Sequence, residues 1–168
     1  MVGCDVLYDE DTQNDADLDA RFPGKLLCLH CDVSKADQLR RVFEVTREKH
    51  GRVDVVVPNA AVVQEQNADF MTAVNFMGVV TAVRLGLEYM SKASGGSGGD
   101  VVVMNSISSF LPVSYYPVYC GAKAGVLHYI RSLVSSKSHS GTGVRVISVP
   151  ESSTRSSSIS SPEFVGLL

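Results

Sequence analysis

Apolar residues in this chain form short runs that alternate with longer stretches of helical spacing. Val6-Leu7-Tyr8 predicts a first strand that runs into the polar loop at Asp9-Glu10-Asp11, and Lys25 to Cys31 predicts a second. Leu39, Val42, Phe43 and Thr46 recur with helical period. A helix is therefore expected over residues 36 to 50, capped by Ser34 or Asp37 and ended by Gly51. Val53 to Val57 is β-branched and apolar except for Asp54, and predicts a third strand covered on both faces. A long helix is expected over 69 to 91, with Phe70, Val74, Met77, Thr81, Leu85 and Tyr89 on one stripe. Ser94 to Gly99 reads as a flexible loop and Val101 to Met104 as a fourth strand. Tyr119 to Ser135 is a helix with small residues on one side and Val126, Ile130 and Val134 on another; Val144 to Val149 is a fifth strand. Strands alternating with helices predict an α/β fold, a doubly wound parallel sheet with helices on both faces.

Composition adds boundaries to this picture. The chain has 168 residues, 45% hydrophobic and 20% charged, enough for one domain with a core, placed at residues 1–149. Residues 150–168 form a serine-rich tail whose apolar surface is too small to offset its ordering entropy, so disorder is expected there. A net charge of −3 gives no reason to expect a nucleic-acid or anionic-membrane partner. No apolar run approaches the roughly 20 residues of a membrane span, and the first residues lack the pattern of a secretory signal. The expected location is cytoplasmic. Cys28 and Cys31 form a C-x-x-C within a predicted strand, where positions three apart point to opposite faces. With no second pair at hand, buried reduced thiols are expected rather than a metal site.

The candidate chemistry lies late in the chain. Tyr119 and Lys123 are four residues apart, so a helix places them on one face, one turn apart. A free phenol titrates near pH 10, and a fixed ammonium nearby would lower that value toward a usable acid/base. Ser106 follows a predicted strand, at the carboxyl rim where loops of a parallel sheet converge, and its hydroxyl could bond a substrate oxygen. Asn75 lies on a largely apolar helix and needs a polar partner, since an unpaired buried amide costs about 1–3 kcal/mol.

Five segments occur in order: Asp32-Val33, Asn59-Ala60-Ala61, Val74 to Gly78, Asn105-Ser106, and Pro117 to Lys123. Over roughly residues 3 to 149 this series resembles the short-chain dehydrogenase/reductase family, and the stretch around Tyr119 looks most like its NAD-linked hydroxyprostaglandin dehydrogenases. The resemblance implies a Rossmann-like fold and hydride transfer between an alcohol or carbonyl substrate and a nicotinamide cofactor. It implies Tyr119 as general acid/base and Lys123 as the residue that lowers its pKa and binds the nicotinamide ribose. Ser106 would orient the substrate oxygen, and Asn75 would hold a proton-relaying water. Asp32 and Val33 would contact the adenine, and Asn59 and Ala60 would line the cofactor floor. Asp9 would accept hydrogen bonds from the adenosine ribose, which favours NAD over NADP.

The chain also departs from that family. It begins at what corresponds to the second strand, with neither the first strand nor the glycine-rich turn that receives a pyrophosphate. In the common strand order 3-2-1-4-5-6 the absent strand is central, so a gap of about 10 Å between two half-sheets is expected. Val149-Pro150-Glu151 replaces a Pro-Gly turn, no substrate-covering segment follows, and Ala61 stands where glycine is usual. Three readings follow. The chain is an oxidoreductase impaired by truncation, or a non-catalytic relative that pairs with a full-length homologue or with itself. The third is an unrelated α/β binding module.

Overall fold

The computed structural model describes residues 1–8, 25–136 and 139–151. Asp9 and the tail beyond Glu151 lie outside these residues. Two parallel sheets result. Strand β1 (Val2–Asp5) pairs with β2 (Leu27–His30), in the register Val2 to Leu27 and Asp5 to His30. Strands β3 (Val55–Val56), β4 (Gly99–Ser106) and β5 (Val144–Glu151) form the other sheet, with β4 in the middle. No ladder joins β1 to β3, so the sheet is divided where the family's order puts a central strand. The architecture is the expected parallel, Rossmann-like α/β arrangement in partial form.

The first strand is displaced from its expected place. Val6 and Leu7 are exposed in a turn, while Val2 to Asp5 are buried. The Asp5 carboxylate accepts the Leu7 N–H at 3.0 Å, and this local bond competes with the ladder and turns the chain out of the sheet. At the other end, β5 runs two residues past Val149, pairing Asn105 with Pro150 and Ser106 with Glu151. Proline is tolerated there because β5 is an edge strand.

Helix α1 (Ala36–His50) starts without a side-chain cap from Ser34 or Asp37. Instead Asp32 organises the turn before it, accepting the Ser34 N–H on its carboxylate at 2.9 Å, while Gln38 reaches back to the Asp32 N–H at 2.7 Å. Helix α2 (Ala68–Met90) is interrupted by a wide turn with π-type bonding at Ala73–Gly78. The wide turn shifts part of the buried stripe, so Met77 is exposed; Leu85 is buried as expected, and Val79, Ala82, Val83, Gly86 and Met90 join it. At 23 residues α2 reaches the length and hydropathy of a membrane span, but it is the central core helix, with Met71, Val83 and Met90 fully buried. Helix α3 (Pro117–Val134) completes the set.

One core joins the two sheets. Val2, Cys4 and Leu27 share a cluster with Val56, Val101 and Val103, under Leu39, Val42, Val83, Val126 and Ile130 from the three helices. Among the described residues, the three helices cover one face. The opposite face of the larger sheet carries Val55, Ile147 and Val149, all exposed. Cys28 and Cys31 fall in separate clusters, as strand alternation predicts, and Cys31 meets Cys4. The glycine run is a compact turn, not a flexible loop. Gly98 (φ 80°) donates to the Met90 carbonyl at 2.7 Å, and a side chain on Gly96 would collide with that same carbonyl.

Candidate active site

Strand β4 and helix α3 bring the predicted residues together. Ser106 ends β4 and its hydroxyl accepts the Ser108 N–H at 3.2 Å, which holds the following turn. Lys123 sits in the second turn of α3, is 3% exposed, and donates its Nζ to the Met104 carbonyl at 3.1 Å. The same nitrogen lies 5.7 Å from the centre of the Tyr119 ring. The Tyr119 phenol is half-buried and interacts with the Ser106 hydroxyl. A phenol, a hydroxyl and an ammonium thus converge at the carboxyl rim of the larger sheet.

The electrostatics differ from the spacing argument. Burial raises the Tyr119 phenol above its ordinary value; the nearby Ser106 hydroxyl opposes this, and the Glu151 charge adds to it. Lys123 is not the deciding influence. Burial also lowers the Lys123 ammonium to about 8, again opposed by Glu151. At neutral pH the phenol is therefore a proton donor, and the lysine is close to losing its own proton.

Glu151 carries no signal in sequence alone. It stands beside Ser106 only because β5 pairs with β4 in that register. Partners in a parallel ladder point to the same face, about 5 Å apart, and the Glu151 charge reaches both Tyr119 and Lys123.

Asn75 is fully buried in the π-type turn of α2. Its amide makes two bonds to one residue: Oδ1 accepts the Val62 N–H at 2.8 Å, and Nδ2 donates to the Val62 carbonyl at 2.7 Å. The required partner is therefore the backbone of the loop after β3. Gly125 allows α3 to approach this turn, since a Cβ there would lie 3.2 Å from the Phe76 ring. Ala61 needs no unusual backbone angle, as no described non-glycine residue has positive φ.

The candidate cofactor residues separate into two groups. Val33, Asn59 and Ala60 line one apolar cleft with Cys4 and Pro58, between β1 and the loop after β3. Asp32 adjoins this cleft, with one carboxylate oxygen engaged in its own turn. Asp9 lies outside the described residues. The acidic residue that ends the first strand is Asp5, 7% exposed, and recognising Val2 to Asp5 as the strand would have singled it out. The cleft is apolar but narrow: its free volume of about 20 Å³ is near that of one water, so a planar ring would enter only if β1 and the loop after β3 moved apart. Among the described residues, no glycine-rich turn at a helix N-terminus offers amides to a diphosphate.

Comparison with known proteins matches this arrangement. A family model described as short chain dehydrogenase matches residues 2–161. The 15-hydroxyprostaglandin dehydrogenase [NAD(+)] of Homo sapiens is 39% identical over 132 residues, covering 78% of this chain and 50% of that protein. An alcohol dehydrogenase-related 31 kDa protein of Drosophila mauritiana is 30% identical over 119 residues, covering 70% of this chain and 44% of its own. The chain thus spans about half the length of the curated relatives it matches. Among solved structures, a short chain dehydrogenase/reductase from Burkholderia phymatum in complex with NAD superimposes with a TM-score of 0.77 at 21% identity, covering 90% of this chain and 56% of that one. An NADPH-dependent 3-quinuclidinone reductase from Rhodotorula rubra gives 0.72 at 22%, covering 89% and 58%.

Proposed function

This chain belongs to the short chain dehydrogenase family, and we propose that it carries the proton-handling half of an NAD-linked alcohol/carbonyl oxidoreductase. The observation behind this reading is the convergence of Tyr119, Ser106 and Lys123 at the rim of β4. In the reducing direction the protonated Tyr119 phenol gives its proton to a substrate oxygen held by the Ser106 hydroxyl. Lys123, with its proton already loosened by burial, replaces that proton. Asn75 keeps the adjoining loop in place through Val62. A bound nicotinamide would supply or accept the hydride. Val33, Asn59 and Ala60 would hold its dinucleotide in the cleft, with Asp32 near the adenine and Asp5 in the ribose role first assigned to Asp9. A carboxylate there disfavours a 2′-phosphate, hence NAD over NADP. The relatives named for NAD point the same way. The substrate class is a small alcohol or carbonyl compound, and the place of action the cytoplasm.

A second reading has its own support. The divided sheet and the lack of a diphosphate cradle among the described residues favour a chain that binds the cofactor poorly. Such a chain would act by pairing with itself or with a full-length relative. NADH fluorescence titration, followed by an assay on secondary alcohols, separates the two. Saturable NADH binding with turnover supports the oxidoreductase. Absence of both in a cooperatively folded chain supports the pairing reading.

A further inference from the structure

The N-terminus of α3 is closed from far away in sequence. Its N-cap residue, Tyr116, supplies no side-chain cap, and Pro117 at the first helical position has no N–H. The next two amides, of Val118 and Tyr119, precede the first intrahelical bond, which Cys120 makes to the Tyr116 carbonyl at 2.9 Å. Both are taken by one side chain. Glu65 accepts the Val118 N–H on Oε2 and the Tyr119 N–H on Oε1, each at 3.0 Å, across 53 and 54 residues of sequence. A carboxylate also suits the positive end of a helix.

Glu65 belongs to the loop that follows β3. Asn59 and Ala60, earlier in that loop, line the cleft, and Asn75 grips its backbone at Val62. Gln64 donates its N–H to the Met71 sulfur at 3.3 Å, and Asn67 caps α2 by accepting the Phe70 N–H at 3.2 Å. The loop is thus tied to α2 on both sides of Glu65. We propose that Glu65 is a positioning residue, whose carboxylate locks the first turn of α3 to the cleft-lining loop and so sets where Tyr119 stands relative to the cleft floor. This rests on the oxidoreductase reading for its effect on turnover, but not for its effect on the helix.

The mechanism is geometric. Removing the carboxylate leaves two adjacent amides without partners in the turn that carries the acid/base. That turn frays, and the phenol moves against a cleft that stays in place. Displacements of about 1 Å at a reacting group can cost on the order of 100-fold in rate. A merely structural cap would lower stability and leave the chemistry of the folded fraction unchanged.

The test uses the full chain and the variants Glu65→Ala and Glu65→Gln. Amide hydrogen exchange by NMR reads the cap directly. In Glu65→Ala the Val118 and Tyr119 amides should exchange at least about tenfold faster, with Val126 and Ile130 unchanged. The Tyr119 titration, followed by ultraviolet absorbance against a Tyr119→Phe control, should move down toward the ordinary tyrosine value as burial is lost; Ser106, Lys123, Cys120 and Glu151 are the groups around that phenol. In an active preparation kcat should fall about 10- to 100-fold while KM for NAD changes less than about twofold. Glu65→Gln keeps one acceptor oxygen and should fall between, and it serves alone if the alanine variant does not fold. Unchanged protection of both amides overturns the proposal. So does lost protection with an unmoved Tyr119 titration. If wild type turns over no alcohol, the oxidoreductase reading fails, while exchange and titration still decide the role of Glu65.

Discussion

The two sheets carry unequal shares of the site. Around β4 and α3, Ser106, Tyr119 and Lys123 are all seated in one place, and β4 pairs on both sides. Around β1 and β2 the described residues form two short strands and a small apolar cluster of Tyr8, Leu26 and Cys28, with no cradle among them for a diphosphate. Both halves lie under the same helices and share one core. A shared core can therefore hold a phenol, a hydroxyl and an ammonium together while the sheet beneath it is divided. Apolar packing is non-directional and tolerates the division, whereas cofactor binding needs amides at fixed points.

Several measurements would break or sharpen that comparison. The largest effect is expected from Tyr119→Phe, which should reduce turnover about 10²- to 10⁴-fold while NADH affinity, a property of the other half, stays as in wild type. That affinity is assigned to the cleft between β1 and the loop after β3, so equal loss of both would join the cleft and the rim functionally. Asn75→Ala should come next, because it strips the half-buried Val62 N–H and carbonyl of their partner and empties a fully buried site; calorimetry should show a loss of roughly 1–3 kcal/mol.

Lys123→Met should act in the opposite direction on stability while depressing turnover. The folded-state value of about 8 lies below the ordinary 10.5, so folding disfavours the charged form. That penalty is fully present below pH 8 and is relieved as pH rises toward 10.5. Loss of that penalty outweighs the bond lost at the Met104 carbonyl, so the variant should be more stable than wild type at neutral pH, by on the order of 1 kcal/mol. Its advantage should shrink through that window, and urea melts at stepped pH would show a constant gap if the lysine is not buried. The smallest effect belongs to Glu151→Gln. Removing that charge should lower the titrations of both Tyr119 and Lys123 and leave the β1–β2 half untouched.

Much of the half around β4 and α3 is legible in the letters. Tyr119 and Lys123 face one way because a helix repeats that way, and Ser106 follows a β-branched run that could only be a strand. Helix α1 announces itself by period and by Gly51, whose left-handed φ of 79° ends it. The start of the chain misleads because Val6-Leu7-Tyr8 is more apolar than Val2 to Asp5. Only the ladder to Leu27 through His30, and the Asp5 bond to Leu7, show which segment is the strand. The glycine run misleads for a similar reason, since it is small in order to fit against Met90 and not in order to move.

By itself, then, the sequence determined the order of strands and helices, the family, and the three side chains at the rim. Each follows from local periodicity or from short spacing within one element. Tertiary structure alone decided that Asn75 grips Val62, that Glu65 closes the helix of Tyr119, that Glu151 stands beside Ser106, and that burial governs the phenol and the ammonium. Those are pairings and desolvations between segments far apart in the chain, set by register and packing, which no local pattern encodes.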